Sequence, residues 1–183
     1  GEYAALRTFA RYDSGLIGNT GTKIAVSISD QGLDEWKGSG EQNQTQVNTK
    51  LVTNFENSKL SAFFNWSDRQ EADYMDLSKD SIRRLGYKND YLAPNWALAQ
   101  QIGVNAGSAT FTPIQTANGL ITSPDDSYYN GSGLREDKLA SITYDHSFSD
   151  RISVKTTAYH HDQKGTGTWW LPDPPQSSTV GPV

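Results

Sequence analysis

Six stretches of this chain alternate apolar and polar residues with a period of two, and that period belongs to strands rather than helices. They run Tyr3–Tyr12, Thr22–Asp30, Gln44–Phe55, Leu60–Asp68, Lys138–Phe148 and Arg151–Asp162. In the second, Ile24, Val26 and Ile28 share one face while Lys23, Ser27 and Ser29 share the other. In the third, Val47, Leu51 and Phe55 oppose Asn48, Lys50 and Asn54. In the fourth, Leu60, Ala62, Phe64 and Trp66 oppose Ser61, Asn65 and Ser67, and Phe63 breaks the pattern. The last two repeat it, with Ile142, Tyr144, Phe148, Ile152 and Val154 set against Ser141, Thr143, Asp145, Ser153 and Lys155. A soluble sheet with one wet side gives the same alternation.

Length and connection pattern separate the two cases. Each stretch lies near the ~9–11 residues that a tilted strand needs to cross an outer membrane, against ~5–6 for a soluble strand. The connections alternate strictly between shorter and longer: Asp13–Gly21 then Gln31–Asn43, Glu56–Lys59 then Arg69–Asp137, and Ser149–Asp150 then everything from Gln163. Transmembrane barrels show that asymmetry, with short turns on one side and long loops on the other. The expectation is therefore an all-β, antiparallel up-and-down transmembrane β-barrel, of which residues 1–183 are a partial domain of about six strands. Loops 31–43, 69–137 and 163–183 would be extracellular.

The long loop is too large to lack structure of its own. "LSKDSIRRLGY" predicts a short helix capped by Ser78 or Asp76 and stopped at Gly86. "APNWALAQQIG" predicts another, with Pro94 in its first turn and Gly103 as its C-terminal cap. Asn118-Gly119 marks a small hairpin.

Composition narrows the function. Hydrophobic residues make up only 35% and mean hydropathy is −0.66, polar for a self-contained globule, yet 11% aromatics argue against disorder. A net charge of −5 with interspersed signs leaves no basic patch, so no nucleic-acid partner is expected. The chain has no cysteine, hence no thiolate site and no cysteine nucleophile. Phosphate-binding glycine loops, zinc-ligand spacing and nucleophile elbows are all missing, and adjacent His160 and His161 point to opposite sides of a strand. No enzyme, catalytic residue, metal or cofactor is expected. Asp125-Asp126 reads as a solvated turn rather than a cation site.

Aromatic residues carry the remaining signal. Tyr12, Trp66, Tyr144 and Tyr159 sit where membrane-girdle residues would. Trp36, Tyr74, Tyr87, Tyr91, Trp96, Trp169 and Trp170 fall in the long loops, with Arg69, Arg83 and Arg84 among them. Rings beside arginines suit an anionic, partly aromatic cargo, and rings beside amides and acids suit sugar; these ten residues are the candidate binding set.

The run "RTFARYDSGLIGNTGTKIAVSISDQGLDEWKGSGEQNQTQVNTKLV", with "LSAFFNWSDR" and "GSGLREDKLASITYDHSFSD", resembles the barrel of TonB-dependent outer-membrane receptors. The resemblance implies a bacterial outer-membrane protein with a barrel of about 22 strands around an N-terminal plug. It implies import of a scarce nutrient, most often a ferric siderophore-type chelate or an oligosaccharide. Its partners would be the lipid bilayer, the small-molecule cargo and the TonB energy-coupling complex, engaged through a plug region that this chain lacks. Six strands alone would leave two unpaired edges, which hydrocarbon does not tolerate, so the chain reads as a fragment. The other readings are a passive outer-membrane porin and a soluble β-sandwich that binds carbohydrate.

Overall fold

The computed structural model describes residues 3–126 and 128–170. Strand accounts for 57% of them, nearly all of it antiparallel. The elements in chain order are β1 (Leu6–Asp13), β2 (Thr22–Asp34), β3 (Glu41–Asn54), β4 (Ser58–Ala72), α1 (Lys79–Leu85), α2 (Trp96–Ala106), β5 (Ile114–Thr116), β6 (Gly119–Ile121), β7 (Asn130–Ser149) and β8 (Ile152–Trp170). β1-β2-β3-β4-β7-β8 form one six-stranded sheet in that order, and β5 pairs with β6 separately. All six expected strands are present, and each neighbour in the large sheet is the next long strand in sequence.

Five of the six run further than the alternation predicts. β2 reaches Asp34, β3 starts at Glu41, β4 continues to Ala72, β7 begins at Asn130 and β8 extends to Trp170. The added segments are polar and lose the apolar half of the pattern, so period alone does not reveal them. Backbone pairing with a neighbouring strand continues regardless of what the side chains face. The portion 171–183 of the expected last loop lies outside the described residues.

The chain divides into two compact units. The first comprises the described residues up to Leu33, with Gln42–Gln70 and Leu134–Thr166. The second comprises Asp34–Glu41, Glu71–Gly133 and the described residues from Gly167 onward.

The first unit is a sheet with tight turns at one end. Between β1 and β2 the Ile17 amide donates to Thr22 O at 2.9 Å, and between β3 and β4 Phe55 donates to Ser58 O at 2.8 Å. Gly21 has a φ of +68°, and a Cβ there would collide with the Asn54 carbonyl, so this position requires glycine. Register places Tyr12 opposite Val26 and Ala10 opposite Ile28, while Arg11 faces Ser27 and Phe9 faces Ser29. One face thus gathers Ala10, Tyr12, Val26 and Ile28; the other gathers Arg11, Ser27 and Ser29, with Phe9 among them.

Along parts of β2, β4 and β7, burial inverts that of a soluble sheet. Val26, Ile28, Phe64, Ile142 and Tyr144 are exposed, whereas Ser27, Ser29, Asn65, Ser141, Thr143 and Asp145 are half-covered. The sheet is hollow on its polar side. Side-chain hydrogen bonds line that hollow: Asn65 Nδ2 donates to Asn48 Oδ1 at 2.8 Å, Gln31 Nε2 to Gln44 Oε1 at 2.9 Å, and the Thr143 and Thr157 hydroxyls meet at 2.9 Å. Tyr159 shares the face of Thr157, so it stands on the polar side and not in a lipid-facing girdle.

The second unit holds the apolar core of the described residues. Leu85, Ile102 and Ile121 are buried, with Leu92, Leu98, Phe111 and Ile114 packed on them. α1 has the expected caps, since the Ser81 amide donates to the Ser78 side chain and Gly86 terminates the helix at a φ of +85°. α2 differs from expectation. Its N-cap is Asn95, which accepts from the Leu98 amide, so Pro94 precedes the helix, and Gly103 lies buried inside a helix that ends at Gly107. Asn95 takes the cap because its side chain reaches the free amides that proline would leave unserved. The Asn118-Gly119 hairpin forms as expected, with Thr116 opposite Gly119.

Candidate functional site

The connection between β2 and β3 is closed twice, by the Glu35 amide donating to Gly40 O at 3.0 Å and by the Gly40 amide donating to Glu35 Oε2 at 3.1 Å. A Cβ at Gly40 would collide with Ala72 and with the Glu35 carboxylate. This tight loop projects Trp36 outward and Lys37 inward. Trp36 stacks with Tyr87 at 6.3 Å and 19°, and meets Tyr74 at 6.1 Å and 43°. Trp36 is 41% exposed and Tyr87 is 63% exposed, so their ring faces form an open shelf.

Beneath the shelf lies a buried charge cluster. Lys37 Nζ donates to Met75 O at 2.9 Å and to Asn89 O at 3.3 Å, with Asp90 Oδ2 3.9 Å away. The same ammonium sits 5.9 Å from the Trp36 ring and 5.6 Å from that of Tyr74. Asp90 Oδ1 accepts from the Met75 and Tyr91 amides at 2.7 and 3.0 Å. Burial, then the nearby Asp90 charge, push the Glu35 carboxyl up to about 7, against the opposing pull of the Gly40 amide and Lys37. Glu35 Oε1 and Asp90 Oδ2 are buried with no hydrogen-bond partner among the described residues.

The remaining candidates are distributed differently. Trp96 meets Tyr129 edge-on at 4.9 Å, and Trp169 meets Tyr128 edge-on at 5.7 Å. Trp96, Trp169 and Trp170 are exposed. Tyr91 is half-buried, and a Cβ on Gly131 would stand 2.5 Å from its hydroxyl. Burial and surrounding carboxylates, Asp73 foremost, raise that phenol to about 12.

Arg84 is held by carboxylates and a backbone carbonyl rather than by rings. Arg84 forks onto Asp126 through two bonds of 2.9 Å, also binds Asp80 at 2.7 Å, and donates to Leu120 O at 2.7 Å. It ties α1 to the β5–β6 hairpin through Leu120. Arg83 is exposed in the last turn of α1, and Arg69 lies on β4 in the first unit. Lys37 is the cation at the aromatic shelf. Asp126 is not the solvated turn residue expected from the sequence: it is buried, because Arg84, Thr122 and Ser81 satisfy its carboxylate inside the second unit. No group of three metal-ligating side chains occurs among the described residues.

Sequence reasoning missed Glu35, Lys37, Asp90, Tyr128 and Tyr129. "DEWKGSG" and "SYYNG" carried a usable signal, charges or paired rings pressed against glycines that permit close approach. No family model, curated protein or solved structure matches the chain.

Proposed function

We propose that this chain is part of an energy-coupled receptor of the bacterial outer membrane, of the TonB-dependent kind, importing a ferric siderophore-type chelate or an oligosaccharide. One observation carries the reading. The sheet unit buries no apolar side chain, and Tyr12, Val26, Ile28, Phe64, Ile142, Tyr144, Ile152 and Val154 stand exposed on one face; every buried hydrophobic residue of the described chain lies in the second unit. A sheet in water hides its apolar face, and a β-sandwich would bury it against a second sheet. A sheet in lipid does the reverse.

The limits of the apolar band support the same reading. Along β7 it runs from Phe148 to Ala140 and then meets Lys138 and Glu136, which pair at 2.7 Å. On β2 it ends at Asp30 and on β4 at Asp68. Eight steps of ~3.4 Å make about 27 Å along the strand, and a ~40° tilt leaves about 21 Å, close to the ~25 Å band of outer-membrane barrels. Aromatic rings mark both rims. Near the tight turns Tyr144 stacks on His146, which meets Phe148 edge-on, and the Trp66 indole N–H donates to Glu136 at the other end.

In this reading the loop-borne rings capture cargo, with the Trp36–Tyr87 shelf as the first contact. The polar face, with Asn48, Lys50, Asn54, Asn65 and Lys155, lines the passage that cargo crosses. The chain supplies wall and vestibule and performs no bond chemistry. The test is a binding screen on the full polypeptide containing this chain, extracted from outer membranes, against ferric siderophores and oligosaccharides. Saturable binding of either class, lost in a Trp36→Ala/Tyr87→Ala double variant, is expected. A polypeptide that is water-soluble without detergent and binds neither class would contradict the proposal.

A further inference from the structure

Phe63 is the residue that breaks the alternation of β4, standing between Ser61 and Asn65 on the polar face. An aromatic ring on a wet face loses burial unless something covers it. It has no ring partner among the described residues, yet it lines a concavity of about 290 Å³ within the sheet unit. Four adjacent strands contribute to that concavity: Lys50 from β3, Lys59 and Phe63 from β4, Asp145 from β7 and Lys155 from β8. Three ammonium groups face one carboxylate, and among the described residues none of the four is in an ion pair. Like charges gathered in one hollow repel each other and favour an anion that neutralises them.

We propose that this concavity is a binding site for a small anion bearing an apolar ring, an aryl carboxylate in the simplest case. The lysines supply attraction for the acid group, and Phe63 supplies a ring face for stacking. The excess of cations over Asp145 suits a ligand of one or two negative charges. The volume lies at the lower end of the ~300–1,000 Å³ of ligand pockets, which fits one ring with its acid group and not a polymer. The site is distinct from the loop-borne rings and stands on the concavity itself, not on the membrane reading.

The probe is benzoate, titrated calorimetrically into the full polypeptide in neutral detergent at low salt, with inorganic phosphate and benzyl alcohol as comparators. Benzoate is expected to saturate a single site and to bind tighter than either comparator. Lys50→Gln with Lys155→Gln weakens benzoate tenfold or more, and Lys155→Arg does not. Phe63→Ala weakens benzoate severalfold while phosphate binding is unchanged, a split that misfolding would not produce. Absence of saturable benzoate binding overturns the proposal, including when another part of the polypeptide fills the hollow. Benzoate affinity indifferent to the lysine pair, or to Phe63, overturns it equally.

Discussion

Glu35 is the residue whose chemistry departs furthest from its ordinary behaviour. Its carboxyl is raised from 4.5 to about 7 by burial and by Asp90. Between those values the folded chain holds a proton that the unfolded chain has released. Stability therefore falls as pH rises through that window and levels off above it, by at most about 3 kcal/mol. Glu35→Gln should remove this slope; urea midpoints of both proteins at pH 5 and pH 8 check it, and parallel slopes would refute the assignment. At the shelf itself, Trp36→Ala or Tyr87→Ala should each weaken cargo about 3- to 10-fold without moving the unfolding midpoint, as the loss of one ring contact implies. The rings were legible in the sequence as loop aromatics. The acids and Lys37 were not, because charges between glycines read as solvated turns until the fold buries them. Arg84 was legible as a cation, but its ties to Asp126 and Asp80 depend on a distant hairpin and a helical neighbour.

At the level of elements, one ion pair joins the apolar contacts that hold α1 and the β5–β6 hairpin together. Burial works to raise the Asp126 carboxyl, yet Arg84 and the Thr122 hydrogen bonds outweigh it and hold it below its ordinary range. This stabilisation is present above the unfolded value near 3.8 and is lost as pH falls through the lower folded one. Arg84→Met leaves that carboxylate half-served and should cost about 2–3 kcal/mol in a denaturant titration. The strands make a different prediction. Ile28→Lys places a charge on the apolar face and should cost about 2–4 kcal/mol in lipid, while Ser29→Lys on the opposite face should cost little. Refolding into vesicles across a urea series measures both. The alternation that places the six long strands was plain in the sequence, as were the Ser78 and Gly86 caps of α1. The ends of α2 were not, since Gly103 resembles a stop signal but packs inside the helix.

For the whole molecule, the central claim is that one sheet face meets lipid and the other meets water. The sequence showed the two faces, with the lumen expected on the polar one, but not how far each is covered. That emerges only from the half-covered serines and threonines beside exposed isoleucine and tyrosine. These 183 residues contain no cysteine, so with any cysteine elsewhere in the polypeptide replaced by serine, single cysteines report without background. Placed in turn at Ala140, Ser141, Ile142, Thr143, Tyr144 and Asp145 of the full polypeptide in lipid vesicles, they would be challenged with a water-soluble, membrane-impermeant maleimide small enough to enter an aqueous lumen. Labelling is expected at 141, 143 and 145 and protection at 140, 142 and 144, with the protected set labelled once the lipid is removed and the chain unfolded. Uniform labelling at all six, or protection of the serine, threonine and aspartate positions instead, would contradict it.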